Sequence, residues 1–341
     1  MGTTYSEAGV NIEEEGRAIE ALISEIKKSR LIKKGGVGEN LTDIGHFSAL
    51  VRINKSQALA VNSDGVGTKI IIAILMEKYD TIGIDLFAMN ANDLICVGAE
   101  PLTLVDYIAM DKPNPVITKE IGKGLLKGAN LTNASISGGE LATLPDMVKG
   151  FDLAGMMVGI VDINRSITGE KIMPGDIVVG LQSSGIHSNG LTLARKILLK
   201  KYDIKSKVNG IVIGDELLQP TKIYVQEVME TLKKVDIKGM VNITGGGFEN
   251  LKRVTKFGYR ITHLPKVPEI FDIIQREGKV TDHEMYRTYN MGIGFCIIVG
   301  KKDVNKVISI CKKHSTDAWN IGTVVNKSGV HIKANKIELL Y

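Results

Sequence analysis

Aromatic side chains are scarce in this 341-residue sequence, at 5% with a single Trp, although hydrophobic residues make up 44%. The core therefore has to be assembled from Ile, Leu, Val, Ala and Met. Cysteine is rarer still. Cys96, Cys296 and Cys311 form no CxxC pair and no zinc-ligand spacing, which excludes zinc-ribbon architectures. An odd number of cysteines in apolar surroundings fits reduced, buried thiols and a cytoplasmic protein. Long hydrophobic runs are missing too. Ile70–Met76 and Leu153–Val161 are far shorter than the roughly 20 apolar residues that cross a bilayer, and acidic residues stand early where a signal segment would be hydrophobic. Neither sign of charge dominates, since 43 Lys and Arg against 38 Asp and Glu leave +5. Lysines come in pairs such as Lys33-Lys34 and Lys200-Lys201, not in blocks interleaved with aromatics, so neither a nucleic-acid nor a membrane partner is expected. No GxxxxGK[ST], GxGxxG, GxSxG or HExxH occurs, which excludes a Walker loop, a classical dinucleotide fold, a serine-hydrolase elbow and a zincin helix.

What is present is an alternation of short apolar runs with helical periodicity. Asn11–Lys28 reads as an amphipathic helix, capped by Asn11 with Glu14 three residues on, and Ile19, Leu22, Ile23 and Ile26 share one face. Strands are expected at Ala58–Asn62, Leu102–Ile108, Ala134–Ser137 and Phe151–Val161, with helices at Lys69–Met76, Asp85–Val97 and Thr118–Ala129. A boundary near Asn164–Asp176, where charge, Gly169, Pro174 and Gly175 follow a long strand, divides the chain into 1–166 and 167–341. The second part repeats the alternation: strands at Ile177–Leu181, Met240–Ile243 and Gly292–Val299, helices at Leu191–Lys200, Phe248–Val254 and Val304–Lys313. Such alternation argues for an α/β protein.

Glycine-rich turns stand at the ends of strands or the starts of helices, where free backbone N–H groups let phosphate oxygens approach. In Asn62-Ser63-Asp64-Gly65-Val66-Gly67-Thr68-Lys69 a carboxylate, two glycines, a hydroxyl and a lysine follow one another. Met89-Asn90-Ala91-Asn92-Asp93 carries Asn90 and Asp93 on one helix face. Ser137-Gly138-Gly139-Glu140 places another acid just past a strand. Asp64, Asp93 and Glu140 thus offer three hard oxygen ligands suited to Mg²⁺ and a substrate phosphate. Farther on, Ser183-Ser184-Gly185-Ile186-His187-Ser188-Asn189-Gly190 follows a strand and opens a helix, and His187 within it is a candidate for proton transfer or charge stabilisation. Thr244-Gly245-Gly246-Gly247 is a further candidate for a monoester phosphate.

Together these segments resemble the aminoimidazole ribonucleotide synthetase family. The matching stretches are Tyr5–Val10, Asp64–Lys69, Met89–Asp93, Gly98–Pro101, Gly138–Glu140, Ser183–Gly190, Leu218–Tyr224, Ile243–Gly247 and Met285–Gly292, in the same order from end to end. Two positions depart from the family pattern: Asn242 stands where a histidine is usual, and Leu141 where a threonine is usual. The resemblance implies an N-terminal α/β domain (1–166) that binds ATP and pairs its sheet with a second copy to close a barrel. A C-terminal α/β domain (167–341) would pack beside it, with the site in the cleft between. It also implies ATP-dependent ring closure of formylglycinamidine ribonucleotide in purine synthesis. Selenophosphate synthetase, thiamine monophosphate kinase or a non-catalytic nucleotide sensor are the alternatives within or beside that fold.

By the same resemblance Asp64, Asp93 and Glu140 surround Mg-ATP. Gly65, Gly67, Thr68, Asn92 and Gly139 belong to the nucleotide-binding set, although the Gly65–Thr68 turn suits either the ATP or the ribotide phosphate. Lys69 meets phosphate charge as a catalytic group, with Lys33 or Lys34 beside it, and the loop containing Gly36 and Gly38 closes over the nucleotide. Ser184, Gly185, His187, Ser188, Asn189 and Gly190, with Gly245, Gly246 and Gly247, fall on the substrate side.

Overall fold

The computed structural model describes residues 5, 6, 8, 9, 11–334 and 337–341. Met1–Thr4, Glu7 and Val10, the last two belonging to the Tyr5–Val10 stretch, lie outside the described residues, as do Asn335 and Lys336. The first half contains α1 (Ile12–Ile26), β1 (Ala49–Arg52), β2 (Gln57–Gly65), α2 (Lys69–Met76), α3 (Ile82–Ile95), β3 (Glu100–Met110), α4 (Pro115–Thr132), β4 (Ser135–Thr143) and β5 (Phe151–Asp162). Its five strands form one sheet in the order β1-β2-β5-β3-β4, antiparallel except for the β3–β4 pair. Residues 163–176 lead to the second half.

There follow β6 (Ile177–Gln182), α5 (Leu191–Leu198), β7 (Lys207–Val208), β8 (Ile211–Val212), α6 (Ile213–Leu217), α7 (Val225–Leu232), β9 (Ile237–Asn242), β10 (Gly258–Ile261), α8 (Glu269–Gly278), α9 (Asp282–Thr288), β11 (Ile293–Val299), α10 (Val304–Lys313), β12 (Ala318–Val325), β13 (Val330–Ala334) and β14 (Ile337–Leu340). Seven of these strands build a second sheet, β14-β13-β10-β12-β6-β11-β9, in which only β10 and β13 run parallel. Both sheets are therefore mixed, and the expected α/β class is met by helices packed on predominantly antiparallel strands.

The two sheets differ in what covers them. Strand β11, between β6 and β9, is buried at every position, the pattern of a strand with both faces covered. In the first sheet β5 buries only alternate residues. Leu153 and Met157 lie beneath α3, while the other face presents Leu59, Val61, Tyr107, Met156, Val158 and Ile160, none of them buried and Tyr107 and Met156 at 44% and 40% exposure. This half also leaves the apolar stripe of α1 open, with Ile19, Leu22 and Ile26 exposed, although Asn11 caps the helix as expected through the Glu14 N–H at 3.2 Å.

Two expectations change. Glu140 lies inside β4, which runs on to Thr143, and not past its end. The expected helix Phe248–Val254 is a 3₁₀ helix over Gly247–Arg253. Its opening glycines take left-handed φ, +97° at Gly246 and +53° at Gly247. The Asn250 amide bonds the carbonyls of Gly245 and Gly247, and such side-chain bonding competes with α-helical pairing.

Helices α3 and α4 cross at glycines. A Cβ on Gly83 would stand 2.1 Å from the backbone nitrogen of Leu125, and one on Gly124 2.7 Å from the carbonyl oxygen of Asp80. No rotamer change relieves a clash with backbone, so Gly83→Ala is expected to destabilise the protein by about 3 kcal/mol. A urea unfolding midpoint equal to that of wild type would show that the crossing is not constrained in this way.

Candidate active site

The cleft between the halves is built around one face of α3. Asp64, near the C-terminal end of β2, pairs across the sheet with Gly155 of β5, which pairs in turn with Asp106 of β3. Directly paired residues point to the same side of a sheet, so Asp64 and Asp106 both face the helices across a residue with no side chain. The Asn90 amide of α3 donates to the Asp64 carbonyl at 3.3 Å, which fixes the helix against the strand end. Asp93 follows on α3, half-buried, with the Asn242 amide donating to its Oδ1 at 2.8 Å.

These acids are held against their charge. Burial pushes Asp64 and Asp106 above the ordinary carboxylate range. Asp93 is pushed up to about 7, by burial first and also by the charge of Asp64, against the opposing pull of Asn242 and Arg253. Two hard oxygen donors whose ionisation is made costly by burial suit a divalent cation, whose charge removes the penalty. Among the described residues, however, no three His, Cys, Asp or Glu side chains stand as a group able to hold a metal ion. Glu140 explains the shortfall. It pairs with Tyr107, whereas the preceding Gly139 pairs with Asp106, so side-chain alternation puts Glu140 on the opposite face of the sheet from Asp64. Gly139 is needed because the Asp106 carboxylate lies where its Cβ would be, at 2.3 Å. Asp106 itself was missed in the sequence, and its only signal there is an acid at an inward position of an apolar strand.

On the opposite wall, loop 183–190 is clamped by Asn290, whose Oδ1 accepts from Ser183 Oγ at 2.9 Å and whose amide donates to the Gly185 carbonyl at 2.8 Å. His187 takes φ +66° and is buried, its ring filling the space left by Gly294, where a Cβ would stand 2.4 Å from Cε1. Nε2 accepts from the Ser184 N–H at 3.2 Å, which leaves the ring proton on Nδ1. Burial, with the charges of Lys69 and Lys222, pulls His187 down to about 3. His187 is therefore neutral near pH 7, so of the expected roles charge stabilisation would rest on a hydrogen bond and not on a positive charge. Asn189 reaches the second glycine loop, its Oδ1 lying 3.1 Å from where a Cβ of Gly245 would be.

Two further expectations are corrected. Lys69 does not face the cleft: it is wholly buried, ion-paired with Asp85 at 2.7 Å and bonded to the Gln219 carbonyl. Gly36 and Gly38 are not brought to the acids within the single chain. The Gly38 N–H donates to the Arg52 carbonyl, and Arg52 pairs with Ala58, six residues back along β2 from Asp64, or roughly 20 Å. By contrast Thr68 stays at the cleft, its Oγ1 3.0 Å from Thr192 Oγ1 across the halves. Asn92 also crosses, its amide binding the backbone of Lys222 and Tyr224.

The Asp93 shift predicts a slope in stability. Between the ordinary value of 3.8 and about 7 the folded protein holds a proton that the unfolded chain has lost, so stability falls as pH rises through that window and levels off above it. Melting temperatures in chelator, compared with Asp93→Asn, should show the wild-type advantage shrinking over this range. A constant difference would mean that Asp93 ionises normally.

Residues 45–161 match the family described as AIR synthase related protein, N-terminal domain, and residues 173–335 match AIR synthase related protein, C-terminal domain. The chain is 46% identical over 330 residues to the phosphoribosylformylglycinamidine cyclo-ligase of Pyrococcus furiosus, covering 97% of each. It is 48% identical over 341 residues to the cyclo-ligase of Methanocaldococcus jannaschii, covering 98% of this chain and 95% of that one. T. maritima PurL complexed with ATP superposes with a TM-score of 0.59 at 14% identity, over 90% of this chain and 45% of that chain, a likeness of fold alone. With both domains matched in order and nearly half of the residues shared along almost the whole length, the chain belongs to the aminoimidazole ribonucleotide synthetase (phosphoribosylformylglycinamidine cyclo-ligase) family, ligases of purine biosynthesis.

Proposed function

We propose that this chain closes the imidazole ring of aminoimidazole ribonucleotide, using ATP and formylglycinamidine ribonucleotide as substrates. The observation that carries the reading is the opposition of two unlike walls. Asp64 and Asp93 are crowded carboxylates on one side, the donor-rich loops 183–190 and 244–247 stand on the other, and the Asp93–Asn242 bond at 2.8 Å joins them. We divide the chain at 166/167, within the segment that links the sheets.

In this reading ATP, a ligand of PurL of the same fold, lies against the acids, and Mg²⁺ would be held by Asp64 and Asp93 and would neutralise phosphate charge. The γ-phosphoryl group passes to the formyl oxygen of the ribotide, a nitrogen of the same molecule attacks the activated carbon, and phosphate leaves as the ring closes. Phosphoryl transfer of this kind needs positioning and charge stabilisation more than a protein nucleophile. The second half supplies positioning through Ser184, Gly185, Ser188, Asn189 and the Gly245–Gly247 turn, with His187 as a neutral donor through Nδ1. Gly65, Gly67 and Thr68 offer backbone and hydroxyl contacts to a phosphate at the strand end. Glu140, on the other sheet face, joins this machinery only in an assembled dimer, and the Gly36–Gly38 loop reaches the nucleotide only by moving or from a second copy.

A homodimer follows from the bare apolar face of the first sheet, because a patch of this kind marks an interaction surface. No described helix is long and apolar enough to cross a membrane, and we place the protein in the cytoplasm.

Incubation with formylglycinamidine ribonucleotide and ATP should yield aminoimidazole ribonucleotide with equimolar ADP and phosphate. Asp93→Asn should lower kcat by about 10²–10³, the usual size for one electrostatic element of such a site. ADP formation without ring closure would sink the cyclo-ligase reading. Light scattering is expected to give twice the 37.0 kDa chain mass, whereas a monomer mass at micromolar concentration would overturn the dimer.

A further inference from the structure

The Lys69–Asp85 pair is fully enclosed, both side chains showing 0% exposure, with 2.7 Å between Nζ and Oδ1. Such a pair is a weak source of stability, because the desolvation of two ions offsets their attraction. Its other bonds run elsewhere. Asp85 Oδ1 also accepts from the Thr221 N–H at 2.7 Å and from Ser188 Oγ at 3.3 Å, while Lys69 Nζ donates to the Gln219 carbonyl. Both ions belong to the first half, and all three of these partners to the second. Asp85 Oδ2 is buried without a hydrogen-bond partner among the described residues. The bonding of the carboxylate is therefore concentrated on the oxygen that meets the opposite half.

The partners are themselves tied to the substrate loop. Ser188 Oγ and Thr221 Oγ1 lie 2.9 Å apart, and Ser184 Oγ donates to the Pro220 carbonyl at 2.6 Å. Farther along α3, Asn92 grips the same segment, its amide donating to the Lys222 carbonyl at 2.8 Å and its oxygen accepting from the Tyr224 N–H at 3.0 Å. Tyr224 in turn stands beside His187, with ring centroids 6.4 Å apart. Asp85 and Asn92, spaced by seven, share one face of the helix, and Asp93 is the next residue along. The helix thus carries the buried pair near its start and a site acid near its end.

We infer that the Lys69–Asp85 pair is a positioning latch: it holds Ser188 and segment 219–224 in register with the acids of α3, and so aligns the two substrates without touching either. The inference rests on the cyclo-ligase reading and gives these two residues a place in it. Charge is needed because charge-assisted bonds are shorter and stronger than neutral ones, and one carboxylate oxygen here must order three donors from two directions. Alignment matters because misplacement by about 1 Å costs about 10²-fold in rate.

Three variants separate alignment from stability. Asp85→Asn and Lys69→Met each strand a buried charge, and both should melt early. The double variant removes both charges and should regain most of the melting temperature, yet keep kcat for ring closure about 10²-fold below wild type with KM for ATP little changed. Hydrogen exchange needs no turnover, and in the double variant it should show loops 183–190 and 218–224 losing protection while α3 keeps its own. Should the double variant not fold, Thr221→Val, which leaves the ion pair intact, is expected to lower kcat and loosen loop 183–190 at an unchanged melting temperature. A wild-type protein inactive on the ribotide overturns the cyclo-ligase reading, and loop protection then decides the latch on its own. Recovery of kcat together with melting temperature in the double variant, or wild-type protection of both loops, overturns the latch.

Discussion

Helix α3 has to bury polar groups. Thirteen of its fourteen residues are buried, so it has almost no solvent face on which to leave them. A buried polar group costs stability unless it is bonded, and α3 carries Asp85, Asn90, Asn92 and Asp93. Asn90 bonds at home, to the carbonyls of Leu86 and Asp64, and Asp85 has Lys69 there, but the rest of their bonding lies across the cleft. Asp85 draws on Ser188 and Thr221, Asn92 on Lys222 and Tyr224, and Asp93 on Asn242. The first half therefore cannot satisfy its central helix without the second. The cleft is the place where this requirement is met, and its width follows from hydrogen-bond lengths.

The same requirement divides the electrostatics. The first half contributes acids whose ionisation is made costly by burial and, at Asp93, by a neighbouring charge. The second contributes neutral groups: a histidine held without charge, an asparagine amide and glycine-rich turns. Phosphate chemistry between such walls is polarised from the outset. One wall is thus acidic and the other, at these positions, is made of neutral donors.

Much of the architecture was legible in the sequence because hydrophobic periodicity reports burial directly. Lys69–Met76 is the helix that its spacing indicates, and Phe151–Val161 is a strand. The glycine loops were legible as well, since left-handed φ at Gly67, Gly185, Gly190 and Gly246 is what those residues permit. Lys69 was misjudged because a motif shows which residue follows which, not which way a side chain turns, and Asp85 is sixteen residues away. Glu140 falls on the face away from Asp64 because one residue of register inside a strand reverses the face. Asp106 escaped notice because a single acid within an apolar strand has no local signature until Gly155 and Gly139 are seen to make room for it.

Asn242 shows how a departure from the family pattern can be read physically. Its amide donates to Asp93 at 2.8 Å, in a site where Asp93 already resists ionisation. A histidine at this position would bring a group that titrates near neutrality, so the charge beside Asp93 would vary with pH. An amide has no such freedom: it donates at every pH and adds no positive charge. It orients the carboxylate and favours its ionised form through the hydrogen bond, without bringing a charge of its own. The two halves thus meet at this bond, with burial and Asp64 raising Asp93 from the first half and Asn242 and Arg253 lowering it from the second.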